Sequence, residues 1–81
     1  MNNKQVRENL LTELRELTLK VNKLNIFLET DKFEKLVRKN KDHAELLKLQ
    51  FETMKNYVKL LILRIANLED IIEKEVEQNE M

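Results

Sequence analysis

The chain contains no cysteine, glycine, proline or tryptophan. Without cysteine there is no disulfide framework and no thiolate metal site, which suits a reducing compartment. Without glycine no Gly-rich loop can cradle a phosphate, and without proline nothing interrupts a helix on backbone grounds. Aromatic residues are only 5% of the chain and charged residues 37%, so a broad globular core is not available. The abundance of Leu, Lys and Glu is that of long helices or a coiled coil. A formal net charge of zero gives no bulk attraction to DNA or to acidic membranes. The longest wholly apolar run, residues 60–63, is far too short for a bilayer. The N-terminal Met-Asn-Asn-Lys-Gln-Val lacks a signal-peptide core, and the expectation is a soluble intracellular protein.

Two periodic seams organise the 81 residues. Leu47, Phe51, Met54, Val58, Leu61, Ile65, Leu68 and Ile72 step by four and three without a break. Leu10, Leu14, Leu17, Val21, Leu24 and Leu28 do the same in the first third. Such spacing predicts two long amphipathic helices, each with one sticky face. Asn2 or Asn3 can cap the first. Thr30 or Asp31 can restart the chain, and Asp31 with Glu34, like Asp42 with Glu45, has the spacing of a capping box. Phe33, Leu36 and Val37 fall on one side of the segment between them. The reading is one all-α domain over residues 1–81, with helices at about 4–29, 32–39 and 43–78. The long helices fold back as an antiparallel hairpin across a short connecting helix.

A hairpin of this kind hides only one stripe per helix, which seldom offsets the entropy of ordering so many residues. Apolar side chains are also left over: Leu19 and Ile26 behind the first seam, Leu49, Leu60 and Leu63 behind the second. Copies are therefore expected to unite in a homo-oligomeric helical bundle, a tetramer built as a dimer of dimers. Charge is unevenly spread. Residues 32–48 carry six basic against three acidic side chains, and residues 69–81 carry six acidic against one basic. The acidic end is expected to fray into solvent.

Catalysis finds little support. The single histidine, His43, opens a helix with no evident acid or thiol partner, and no set of converging metal ligands is apparent. No catalytic residue, metal or cofactor is expected. Anion binding has more to stand on. Between Glu52 and Glu69 there is no acidic residue, while Lys55, Lys59 and Arg64 sit there beside Tyr57. Gln50, Tyr57 and Arg64 lie seven apart along one edge of the seam, with Lys48 and Lys55 on the other. Lys20 and Lys23 of the first helix come near the level of residues 54–57 in an antiparallel hairpin. Edge positions let a stem be buried while the head points into a groove. Arg offers a planar fork to phosphate, Lys a point charge, and Tyr a flat face to a base. The same residues equally suit a bundle margin kept soluble by its cations. A groove for a partner protein's helix, making the chain an adaptor or inhibitor, is a further alternative.

The run Lys23-Leu-Asn-Ile-Phe-Leu-Glu-Thr-Asp-Lys-Phe-Glu-Lys-Leu36 and the spacing of Gln50, Met54, Lys55, Tyr57, Leu61, Arg64 and Ile65 resemble a known group. They are similar to small helical-hairpin proteins of bacteriophages, including those related to crAss-like phages. That hairpin is shared with phage sponges that block CBASS and Thoeris immunity, and the resemblance covers residues 6–68. It implies an oligomer in the host bacterial cytoplasm that sequesters a cyclic dinucleotide of the cyclic GMP–AMP class without degrading it. Tyr57 for stacking, and Arg64, Lys55, Lys23 or Lys20 for phosphate, fall in with that implication.

Overall fold

The computed structural model describes residues 2–80, with side chains described as far as residue 78. Met1 and Met81 lie outside the described residues. All described elements are helical: α1 spans Asn3–Leu28, α2 spans Asp31–Lys39 and α3 spans Lys41–Glu80. α1 and α3 run antiparallel, and the hairpin is a rod of 65 × 19 × 15 Å. No helix is long and apolar enough to cross a membrane among the described residues.

Local chemistry sets the ends. The Asn2 side chain accepts a hydrogen bond from the Gln5 N–H at 2.8 Å and so caps α1. α1 closes where the Glu29 and Thr30 N–H groups bond back to Ile26 and Phe27 carbonyls. Thr30 precedes α2, but its hydroxyl donates to the Phe27 carbonyl at 2.6 Å and caps nothing ahead of it. The expected Asp31–Glu34 capping box does not form, because Asp31 is already the first residue of the helix. Both acids instead complement the N-terminal end of the α2 dipole, with Arg38 and Lys39 at the other end.

The second break is a single residue. Asn40 takes φ −150°, ψ 84° and ends α2 with its N–H on the Leu36 carbonyl. Its carboxamide oxygen accepts from the His43 N–H at 3.0 Å, so Asn40, rather than Asp42, caps α3. A cap needs extended backbone dihedrals, and only Asn40 leaves the helix here. α3 consequently starts at Lys41, and its acidic C-terminal part stays helical to Glu80.

Every residue of the two seams is buried or half-buried. Leu10, Leu61 and Ile65 form the centre, with Val6, Leu11, Leu14, Leu17 and Leu68 around them. Only Leu61 reaches zero exposure. At the connector, Phe33 is buried against Phe27 edge-to-face at 6.0 Å, and Ala44 is buried where α2 meets α3. Val37, expected with Phe33 on the inner face of α2, stays exposed. The leftover side chains are exposed as the seam spacing requires: Leu19, Ile26, Leu49, Leu60 and Leu63, joined by Leu46 and Ile62. Since Leu61 alone is wholly enclosed, Leu61→Ala should cost about 2–5 kcal/mol, read as a fall in the urea midpoint of helical circular dichroism.

Candidate functional site

The seam between α1 and α3 has two edges, and they carry different chemistry. On one edge stand Tyr57 and Arg64, two turns apart on α3. The Tyr57 hydroxyl donates across the hairpin to Glu13 Oε1 of α1. The Glu13 carboxylate accepting this bond is the main cause of a raised Tyr57 pKa. Partial burial and the carboxylate charge add to it, and the Arg64 guanidinium opposes it. Arg64 is exposed and makes no ion pair among the described residues. Lys20, seven residues after Glu13, lies on this same edge two turns along α1; Lys23 is turned further towards solvent. Both are exposed and unpaired among the described residues. Gln50, at the same edge, donates to the Met54 sulfur at 3.8 Å.

On the other edge lies an open groove of about 240 Å³ lined by Thr18, Val21, Lys55, Val58 and Lys59. Its floor is the two valines. The Thr18 hydroxyl donates to the Leu14 carbonyl at 2.7 Å, which leaves its oxygen only as an acceptor. The donors to an anion here are therefore the two ammonium groups. Lys55 is already engaged, 3.0 Å from Glu52 and 4.6 Å above the Phe51 ring centroid. Lys59 makes no ion pair among the described residues. Lys48 lies further along, 5.7 Å from the Phe33 ring centroid.

One copy thus gathers Tyr57, Arg64 and Lys20 on one edge and sets Lys55 on the opposite edge. Sequence reasoning missed Glu13 as the partner of Tyr57. Opposing the two seams in antiparallel register would have placed it there, since Glu13 adjoins Leu14 and Tyr57 adjoins Val58. His43 is exposed, and the described residues hold no group of three His, Cys, Asp or Glu able to hold a metal ion. The five candidates can bind negative charge and present an aromatic ring.

A family model described as Sequestin matches residues 4–67. The chain belongs to the Sequestin family. That match takes in α1, α2 and α3 as far as Asn67, and with them all five candidate residues and Glu13. The family name denotes sequestration, in keeping with the resemblance to sponge-type hairpins. No curated protein and no solved structure matches the chain.

With one tyrosine and no tryptophan, the phenol can be titrated by its own absorbance. Glu13→Ala should lower the tyrosinate midpoint towards that of a free phenol. The folded state holds this proton more tightly than the unfolded chain. The contribution of the contact is therefore present at neutral pH and lost as pH rises through the raised Tyr57 pKa. An unchanged midpoint in Glu13→Ala would remove the cross-hairpin bond.

Proposed function

We propose that this protein sequesters a cyclic nucleotide immune signal, holding it intact in a pocket completed by more than one copy of the chain. The observation that carries this reading is membership of a sequestering family over the stretch that holds Tyr57, Arg64, Lys55, Lys20 and Lys23. The physical support is that most of these cationic heads are not neutralised within the chain. Phosphate oxygens accept charge-assisted hydrogen bonds from Arg and Lys, and a base stacks on the face of Tyr57. A cyclic dinucleotide of the cyclic GMP–AMP class repeats one phosphate and one base about a pseudo-twofold axis. A symmetric assembly that presents Tyr57 and Arg64 twice matches that shape. Sequestration needs no bond cleavage, and its place of action is the host bacterial cytoplasm, where the signal is made.

Exposed Leu46, Leu49, Leu60 and Leu63 favour a second reading, in which the chain docks on a host protein as an adaptor or inhibitor. The two readings part in a thermal-shift panel of cyclic di- and trinucleotides together with the cyclic nucleotides of Thoeris defence. A sponge at 100 times its Kd gains about 2.7 kcal/mol and melts later; an adaptor shows no shift with any of them. Heating the loaded protein should release the nucleotide chemically unaltered, whereas recovery of a cleaved product would point to an enzyme. Arg64→Ala should weaken binding by about tenfold or more, corresponding to the 1.5–3 kcal/mol of a charge-assisted contact. Undiminished affinity would take Arg64 out of the site.

A further inference from the structure

Behind its buried seam α3 carries a second, interrupted apolar stripe: Leu46 with Leu49, and Leu60 with Leu63, separated on that face by exposed Thr53 and Asn56. Leu46, Leu49, Leu60 and Leu63 are 50–67% exposed, and Ile71 continues the row at 36%. Its apolar residues span about 38 Å of the helix from Leu46 to Ile71. It is sided. Leu60 stands three residues after Tyr57 and four before Arg64, so the candidate residues of one edge border the stripe directly. At its start a hollow of about 350 Å³ is lined by Asp42, Glu45, Leu46 and Leu49, apolar within and acidic at the rim.

Charge then says which way a covering helix must run. The connector end of the rod, residues 20–48, has eight basic against five acidic side chains. The opposite end, residues 1–8 with 69–81, has three basic against seven acidic. A parallel neighbour would set like ends together along a 65 Å rod, and an antiparallel one sets unlike ends together.

We infer that the stripe is covered by α3 of a second copy, antiparallel, with Leu60 at the twofold axis. In that register Leu49 of one copy meets Ile71 of the other, because both lie eleven residues from Leu60. Lys74, one turn beyond Ile71 and paired in its own helix with Asp70 at 3.1 Å, arrives opposite Leu46, beside the acidic rim of the hollow. Two copies of Tyr57 then lie about 9 Å apart along the axis and two copies of Arg64 about 12 Å apart, around one point. Each chain so supplies half of a symmetric pocket. The pairing stands on the stripe and the charge; the pocket's use for a nucleotide rests on the sequestration reading above.

The chain's lack of cysteine makes single-cysteine probes clean. Leu60, Leu49 and Ile71 lie outside the enclosed core, so the substitutions leave the hairpin seam alone. Under mild oxidation without nucleotide, Leu60→Cys should cross-link to itself. Leu49→Cys should not, but a mixture of Leu49→Cys and Ile71→Cys chains should give the mixed disulfide. Leu63→Glu should lower the mass of the wild-type assembly in sedimentation at micromolar concentration, to half of it or to a helical monomer. Self-cross-linking of Leu49→Cys would mean parallel chains and overturn the inference. So would a wild-type chain that sediments as a monomer, or a Leu63→Glu chain that keeps the wild-type mass. Because no nucleotide is present, these outcomes judge the pairing alone, and the thermal-shift panel judges the ligand.

Discussion

The narrow strip of apolar contact between α1 and α3 is what the rest of the structure depends on. Leu10, Leu61 and Ile65 lie at its centre, and among the described residues only the short α2 adds to the contact, at the connector end. Two helices side by side have one line of contact, so a residue a third of a turn away already meets water. This is why Leu61 is enclosed while Leu60, its neighbour in sequence, is half exposed. The same constraint creates both edges of the seam, where a long side chain has its stem against apolar neighbours and its head free.

Those edges are where the family's function is best sought. One combines a phenol, a carboxylate and a guanidinium: Tyr57, Glu13 and Arg64. The other combines two ammonium groups with a valine floor. Both have donors suited to an anion. Glu13 is the residue that sharpens this picture. It fixes the Tyr57 hydroxyl from the opposite helix, leaving the ring face to be met by whatever enters the edge.

Much of the fold was legible because helical periodicity is a local property. The steps of four and three from Leu47 to Ile72, and from Leu10 to Leu28, named the buried faces of α3 and α1 residue by residue. Leu49, Leu60 and Leu63 were legible as surplus for the same reason. Caps were less so. Asn40, Asp42 and Thr30 are all acceptable cap residues by type, and which one leaves the helix depends on where the chain must turn to seat Phe33 and Ala44. The candidate cations were legible as a cluster, and so was the division of Arg64 and Lys55 between two edges, but not the hold that Glu52 and Phe51 have on Lys55.

By itself the sequence determined that this protein is helical, thin and two-seamed, and that it has more apolar surface than one hairpin can hide. Periodicity, the absence of glycine and proline, and the count of large apolar residues suffice for that. Only the tertiary structure decided that Tyr57 answers to Glu13 and that Asn40 serves two helices at once. The first depends on the antiparallel register of α1 against α3. Register is a relation between residues more than forty positions apart, set by how two ridged surfaces interlock rather than by any local preference.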